Sequence, residues 1–463
     1  MMNAKLKYLF CPESVAVVGA SNGFDKLGYH VMKSLVEGNY GGPIFPVNPK
    51  GGRIWGMESY PALSEVPEDV DLAVITVPGA FVPEIMHECG RKMVKGVVLI
   101  TAGFREIEDP RGETLQEEIG RVARHYELPI VGPNTFGFVN RIFGVNASFT
   151  SEFSLLEKGG VALISQSGGF CHLCGFMAME ERMGVCKLMS LGNHLNVGFP
   201  EMLRYLVEED DDTRVIALYI EGLDDPRRLL DTAKSLRGRK HIMAYKAGRN
   251  EKGDSTSRFH TGVMAGDYQI WKGALRQTGV LEVGSPEEFI DTAKVLDKCA
   301  PIKGPRIAVL SGQAGPGLIA ADAVENAGLK LARFSAGTQD TIDRLLPPIA
   351  MRTNPVDMGP AWYSPEDMLD ILKAVVEDEG TDGVIFLNVF ASANVHMAKA
   401  MAERMKGAEP FKKPVVVVFS APRGIWDAET AEMDGKKGIA MVPTPDRAGV
   451  VMGNLWREHL LLR

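Results

Sequence analysis

Residues 161–169 read Val-Ala-Leu-Ile-Ser-Gln-Ser-Gly-Gly, an apolar run that ends in small polar residues and two glycines. This pattern is typical of a buried strand that turns directly into a helix. Residues 309–317, Val-Leu-Ser-Gly-Gln-Ala-Gly-Pro-Gly, repeat the pattern, and residues 15–21, Val-Ala-Val-Val-Gly-Ala-Ser, give a shorter version. Because strands alternate with helical segments along the chain, we expect an α/β fold with parallel sheets.

The three glycine turns predict three domains of ordinary size. We expect a Rossmann-like domain over residues 1–150, followed by two domains of similar fold over 151–300 and 301–463. Their further strands are predicted at 44–47, 72–77, 96–100 and 130–131, at 187–190, 215–220 and 242–246, and at 383–388 and 415–419.

Composition excludes several classes of protein. The 463 residues are 45% hydrophobic and 24% charged, and the net charge of −8 gives no reason to expect a nucleic-acid or membrane partner. The longest apolar runs are too short to span a bilayer, and residues 1–10 lack a signal-peptide core. Six scattered cysteines suit a reducing compartment, so we expect a cytoplasmic protein. Cys171 and Cys174 flank His172, but no second pair stands at zinc spacing; we expect buried helix cysteines and no metal site.

The loops after the first-domain strands outline one ligand site, because ligands of open α/β sheets bind beyond the carboxyl ends of the strands. The turn at Gly19 and Ser21 lacks a full dinucleotide fingerprint. Lys50 follows the second strand where NAD enzymes carry a carboxylate, which favours a phosphate-bearing adenosine; a surface lysine is the alternative.

Two of the glycine turns are candidate anion sites, because a helix start presents free N–H groups and the positive end of the helix dipole. They contain Ser167, Gly168 and Gly169 in one case and Gly315 and Gly317 in the other. Each could also be an ordinary tight turn. Together with a histidine on a small-residue loop, they suggest phosphoryl transfer.

His260 is that histidine, in the loop Phe-His-Thr-Gly-Val-Met-Ala-Gly at 259–266. Glu221 ends a strand at the presumed ligand edge and could orient and activate an imidazole. The structural alternative for Glu221 is capping of a helix over 224–230.

In this order, the motifs resemble the ADP-forming acyl-CoA synthetases (acetate–CoA ligases), relatives of succinyl-CoA synthetase, over nearly the whole chain. They are Gly19-Ala20-Ser21, the 45–49 stretch, Gly132-Pro133-Asn134, the 165–169 turn, Gly192-Asn193, the 219–222 stretch, Lys246-Ala247-Gly248-Arg249, His260-Thr261-Gly262, Gly315-Pro316-Gly317, the 354–357 stretch and Pro443-Thr444-Pro445.

The resemblance implies an α subunit with a CoA-binding Rossmann-like domain and two flavodoxin-like domains. It implies a phosphohistidine at His260, supported by Glu221, and phosphate binding at both glycine turns. The residues that match the family's CoA site are Gly19, Ser21, Lys50, Val77, Pro78, Thr101 and Asn134. The family also uses an ATP-grasp module for ADP/ATP and Mg²⁺, which no segment of this chain matches; we therefore expect a separate β subunit, in a heterotetramer, or a homodimer that works without it.

The chain departs from the family at Phe259, where small residues are usual, at Gly198-Phe199 and at Gln313-Ala314. Other functions remain as alternatives. A CoA-binding regulatory protein without turnover, or the binding half of an acyltransferase, would not need His260 and Glu221. An NAD-dependent oxidoreductase would need a carboxylate in place of Lys50, and a structural scaffold would not need paired anion loops. The sequence does not identify the acyl group.

Overall fold

The computed structural model describes residues 2–249, 267–434, 436 and 438–463. The chain forms two compact units, Met1–Glu282 and Val283–Arg463. The first unit contains two large sheets and the second unit contains one. The predicted division at residues 150 and 300 stays a prediction.

The first sheet is parallel, as predicted, with the order β2-β1-β5-β6-β7. Strands β1, β5 and β6 are buried along their full length, which explains why they are continuous apolar runs rather than alternating ones. The strands to this point are β1 Val15–Val18, β2 Ile44–Val47, β3 Arg53–Ile54, β4 Met57–Glu58, β5 Leu72–Ile75, β6 Gly96–Leu99 and β7 Ile130–Val131, and the helices are α1 Met2–Phe10, α2 Leu27–Glu37, α3 Val82–Arg91 and α4 Pro110–His125.

The second sheet has the order β14-β13-β12-β10-β11-β8-β9. Its strands are β8 Gly137–Asn140, β9 Val145–Ser148, β10 Lys158–Ser165, β11 Val185–Ser190, β12 Val215–Ile220, β13 His241–Lys246 and β14 Leu281–Glu282, with helices α5 Gly168–Glu180, α6 Phe199–Glu208, α7 Pro226–Ser235 and α8 Tyr268–Thr278. The antiparallel pair β8–β9 was not predicted from the sequence. Both strands are short and buried on both faces, so neither shows an alternating pattern.

The third sheet, in the second unit, has the order β16-β15-β18-β19-β20, and β17 also pairs with β15. Its strands are β15 Arg306–Ser311, β16 Lys330–Leu331, β17 Val356–Asp357, β18 Gly383–Val389, β19 Val415–Ser420 and β20 Ile439–Met441, with helices α9 Pro286–Lys298, α10 Ala314–Asn326, α11 Ala336–Leu345, α12 Pro365–Glu377, α13 Met397–Met405, α14 Asp427–Asp434 and α15 Pro445–Leu462.

All three sheets share one topology. Each sheet contains five main parallel strands. If these are numbered by their order along the chain, they lie side by side in the order 2-1-3-4-5. This is a doubly wound order whose ligand crevice opens between the first and third strands. Each glycine turn follows the first strand of its sheet, so all three turns lie at the crevice position that the sequence predicted for ligands.

Across the described ranges, no helix combines the length and apolarity needed to cross a bilayer.

Candidate active site

A cavity of about 520 Å³ lies in the first unit, where loops of the first and second sheets meet. The cavity is lined by residues from three sets that were predicted separately from the sequence. These are Asn134 from the CoA set, Ser167, Gly168 and Gly169 from the phosphate set, and the catalytic candidate Glu221.

The glycine turn between β10 and α5 forms one wall of this cavity. The Ser165 hydroxyl accepts a hydrogen bond from the Ser167 N–H (3.0 Å) and donates one to the Ser167 carbonyl (2.7 Å), which fixes the turn. Ser167 caps α5, since its hydroxyl accepts from the Phe170 N–H at 3.3 Å. A Cβ at Gly168 or Gly169 would meet no atom of the described residues closer than 3.8 Å. Packing therefore does not require these glycines, and they leave the helix N-terminus open to an anion.

Gln166 joins this turn to the loop that follows β12. Its side-chain oxygen accepts from the N–H groups of Glu221 (2.9 Å) and Gly222 (3.1 Å), and its nitrogen donates to the Gly222 carbonyl (2.7 Å). Glu221 is thereby held at the crevice between the first and third strands of the second sheet.

The surroundings of Glu221 argue against the capping alternative. Helix α7 begins only at Pro226, and Asp225 caps it by accepting from the Arg228 N–H at 3.0 Å. The Glu221 carboxylate instead hydrogen-bonds the Tyr219 hydroxyl; burial, and next the charge of Glu221, raise the pKa of that hydroxyl. Glu221 thus lies at the cavity wall and does not cap α7.

His260 lies outside the described residues, but both ends of its segment are described. The chain leaves the second sheet at β13, where the buried Lys246 ammonium donates to the Glu221 carbonyl at 2.7 Å. Arg249 follows, and its guanidinium lies 5.2 Å from the Tyr268 ring at the start of α8. Arg249 and Tyr268, which lie on either side of the undescribed segment, are therefore close to each other near the carboxyl end of β13, the strand next to β12.

The six other predicted CoA residues lie in the loops after β1, β2, β5 and β6, and none of them lines the cavity. Gly19 adopts φ +95°, and a Cβ there would approach the Thr76 hydroxyl to 2.6 Å, so the turn requires glycine. Ser21 accepts from the Gly23 N–H at 2.9 Å, and Lys50 is exposed.

Hydrogen bonds connect these loops to the cavity. The Thr101 hydroxyl donates to the carbonyl of Val77, which precedes Pro78, at 2.7 Å, and the Asn134 N–H donates to the Thr101 carbonyl at 2.9 Å. These hydrogen bonds link the loops after β5 and β6 to Asn134 in the cavity. We call the loops that contain the seven predicted CoA residues the CoA loop edge.

Sequence reasoning gave no role in the site to several polar residues that line the cavity, among them Arg105, Asn193 and His194. Arg105 pairs with Asp224 at 2.9 Å and donates to the Asn193 carbonyl at 3.0 Å. Burial, and next the charge of Arg105, lower the pKa of His194 to about 4. The Gly192-Asn193 motif was the only available signal for this loop.

The remaining predicted turn lies in the second unit. The Ser311 hydroxyl accepts from the Gln313 N–H (3.3 Å) and donates to the Gln313 carbonyl (2.6 Å), as Ser165 does with Ser167. The Gln313 side chain also joins its turn to the end of the third strand, through Val389 (2.5 and 3.0 Å). Gln313 therefore has a structural role like that of Gln166. No atom of a described residue lies within 4 Å of a Cβ built on Gly315, although one built on Gly317 would approach Ser311 to 3.1 Å.

Cys171 and Cys174 are buried on α5, as predicted. Among the described residues, no three histidine, cysteine, aspartate or glutamate side chains form a metal-binding group.

Comparison with known proteins defines the class first. Residues 13–141 match the CoA binding domain family, and residues 158–296 match the succinyl-CoA ligase like flavodoxin domain family. The protein is therefore a CoA-binding protein of the succinyl-CoA ligase type.

The relatives then define the family. The chain is 37% identical to the α subunit of acetate–CoA ligase (ADP-forming) II of Pyrococcus furiosus, over 95% of both chains. It is 34% identical to acetate–CoA ligase (ADP-forming) of Methanocaldococcus jannaschii, over 99% of this chain but 64% of that longer one. A solved acetyl-coenzyme A synthetase 1 of Ca. Korarchaeum cryptofilum, in complex with phosphate and ADP, superposes with a TM-score of 0.90 at 31% identity, covering 99% and 97% of the two chains. The chain belongs to the ADP-forming acetate–CoA ligase family.

Proposed function

We propose that the protein is the α subunit of an ADP-forming acyl-CoA synthetase. It interconverts acyl-CoA + ADP + phosphate and carboxylate + ATP + CoA. The observation that carries this proposal is the cavity itself, which is lined by the open N-terminus of α5, Glu221 and the Asn134 end of the CoA loop edge.

In the first step, phosphate attacks the thioester carbonyl, giving an acyl phosphate and free CoA. The N–H groups at Gly168 and Gly169 hold the phosphate, and the helix dipole favours its charge without reorganisation during the reaction. Within the described ranges, no atom lies closer than 3.8 Å to a Cβ built on either glycine, which supports this role because it leaves room for an oxyanion. The loop edge from Gly19, Ser21 and Lys50 through Val77, Pro78 and Thr101 to Asn134 binds the CoA portion.

In the second step, neutral His260 attacks the acyl phosphate and releases the carboxylate. Glu221 accepts a hydrogen bond from the imidazole and stabilises its developing positive charge. The fixed position of Glu221, through Gln166, supports this assignment. The turn with Gly315 and Gly317 supplies a second phosphate-binding helix end to the phosphorylated loop.

The phosphoryl group then passes to ADP. An ATP-grasp partner subunit holds the nucleotide and Mg²⁺, in a heterotetramer or a comparable complex. The α-subunit name of the Pyrococcus relative and the longer chain of the Methanocaldococcus relative support a partner for this chain.

A single-turnover experiment tests the proposal. The protein is mixed with excess acetyl-CoA, and free CoA is followed with a thiol reagent in the presence and absence of phosphate. We expect release of about one CoA per chain that requires phosphate, and repeated turnover once an ATP-grasp partner and ADP are added. Tight binding of CoA without phosphate-dependent release would instead identify a CoA-binding regulatory protein.

A further inference from the structure

An aromatic surface, made of Phe136, Phe149 and His172, lines the cavity beside the α5 turn. The His172 and Phe149 rings stack with centroids 5.7 Å apart and planes at 25°. Phe136 packs edge-on against both rings, at 5.2 Å from His172 and 6.3 Å from Phe149. We call these three side chains the aromatic wall. The proposed function assigns it no role.

The aromatic wall is preformed, because neighbouring groups fix each ring. His172 Nε2 lies 2.8 Å from the Thr150 hydroxyl, and Nδ1 lies 2.9 Å from the Gly168 carbonyl. Fully buried Phe153 supports the wall from behind, 5.8 Å from Phe136 and 5.4 Å from His172. A ligand that contacts the wall therefore does not have to order it.

The wall borders the position of the proposed reaction. His172 contacts the carbonyl of Gly168, the residue whose N–H faces the phosphate in the proposed first step. The thioester carbon that phosphate attacks carries the acyl substituent directly. That substituent must therefore lie within a few bond lengths of the α5 turn. The wall forms the aromatic part of the apolar lining there, and Leu27, Ile100 and Ala102 form its aliphatic part.

The polar side of the cavity does not favour a second carboxylate on the acyl group. The charge of Arg105 is already balanced by Asp224 at 2.9 Å. The Gln166 amide is bonded to the Glu221 loop, and the Asn193 amide donates to Glu106 (2.5 Å) and Gln116 (2.9 Å). Among the described residues lining the cavity, the aromatic wall is thus the surface best suited to recognise an acyl group.

We propose that the preferred acyl group of this enzyme is aromatic, with its ring packed against Phe149 and His172. This inference rests on the proposed function, because it assumes that acyl-CoA binds in this cavity. Contact between two aromatic rings contributes more binding free energy than the area it buries explains. A phenyl group should therefore bind the wall more tightly than an alkyl group of equal size. A cavity of about 520 Å³ is of the size that binds small molecules.

Binding without phosphate tests the inference, because no turnover occurs in the full-length protein under that condition. Dissociation constants are measured by calorimetry for CoA, acetyl-CoA, cyclohexylacetyl-CoA and phenylacetyl-CoA. We expect phenylacetyl-CoA to bind at least about tenfold tighter than acetyl-CoA, a factor that corresponds to about 1.4 kcal/mol. We also expect it to bind more tightly than cyclohexylacetyl-CoA, which has the same size but no aromatic ring.

Two substitutions assign the preference to the wall. Phe149→Leu keeps an apolar side chain but removes the ring, and we expect it to reduce the ratio of phenylacetyl-CoA to acetyl-CoA affinity by several-fold. Phe143→Ala is the matched control, because Phe143 is 45% exposed and does not line the cavity; its affinity ratio should equal that of the unchanged protein.

The outcomes are distinguishable. Equal affinities for the phenyl and cyclohexyl ligands, or a ratio unaffected by Phe149→Leu, would overturn the aromatic preference and leave the proposed function intact. Failure of CoA and of every acyl-CoA to bind would overturn both.

Discussion

His194 is a residue whose acid–base chemistry is altered by its position in the cavity. Its imidazole lies 3.3 Å from the Gln166 side-chain nitrogen, near the positive charge of Arg105. Burial and that charge both disfavour the protonated form, which explains the pKa of about 4. A neutral imidazole here avoids placing a second positive charge next to Arg105.

We predict that His194 stays neutral at pH 5.5, where an ordinary histidine is largely protonated. The measurement is an NMR titration of the histidine ring signals, with the His194 signal assigned by its loss in His194→Gln. Because the pKa of His194 is lower in the folded state than in the unfolded chain, protonation of His194 favours unfolding. Its contribution to stability is therefore lost as pH falls from about 6.5 towards 4. A His194 signal that titrates near pH 6.5 would contradict this environment.

Glu221 is the residue whose role the structure makes testable. We predict that Glu221→Gln, which keeps the size and the backbone contacts with Gln166, slows phosphorylation of the protein by acyl-CoA and phosphate by about 10²-fold or more. Affinity for CoA should not change. Glu180→Gln, at the exposed end of α5, is the control. An equal rate in Glu221→Gln would mean that the carboxylate does not assist His260.

At the scale of single elements, α5 contains two glycines with opposite roles. Of the atoms that the structure describes, a Cβ at Gly169 would meet only the Ser167 hydroxyl, at 3.8 Å, whereas a Cβ at Gly175 would come within 2.5 Å of the buried Phe153 ring. The first glycine leaves space for a ligand, and the second allows close packing within the chain.

We predict that Gly169→Val weakens phosphate binding by roughly tenfold without loss of stability, because it obstructs an anion that the helix end would otherwise bind. Gly175→Ala should instead lower the free energy of unfolding by about 1–3 kcal/mol, the usual cost of overpacking. Phosphate titration and urea unfolding of both variants measure the two effects. A loss of stability in Gly169→Val, or none in Gly175→Ala, would contradict these assignments.

The patterns within individual strands explain which parts of the fold could be predicted from the sequence. Strands β1, β10 and β15 contain continuous buried apolar runs followed by small residues, so both strand and turn were recognised. The pair β8–β9 has no such pattern. His194 and the aromatic wall were missed because contacts between distant segments create them, and no local pattern indicates that Phe136, Phe149 and His172 meet.

At the scale of the whole molecule, two sheets share one compact unit and the third sheet forms another. The predicted boundary at residue 150 follows β9, which pairs into the second sheet. The CoA loop edge, the α5 turn and Glu221 all belong to the first unit, whereas Gly315 and Gly317 belong to the second.

We therefore predict that a fragment ending at Glu282 binds CoA with unchanged affinity, while the fragment from Val283 does not bind it. Calorimetric titration of both fragments and of the full chain measures this. Circular dichroism confirms that each fragment is folded before it is titrated. Loss of CoA binding in a folded first fragment would show that the second unit contributes to the CoA site.

Phosphorylation of His260 is the most direct test of the proposed reaction. The protein is incubated with acetyl-CoA and phosphate, and its intact mass is measured before and after brief acid treatment. We predict an acid-labile phosphoryl adduct that maps to His260 and is absent in His260→Ala. If the wild-type protein binds CoA yet forms no adduct, this chain is not a phosphoryl-transferring subunit.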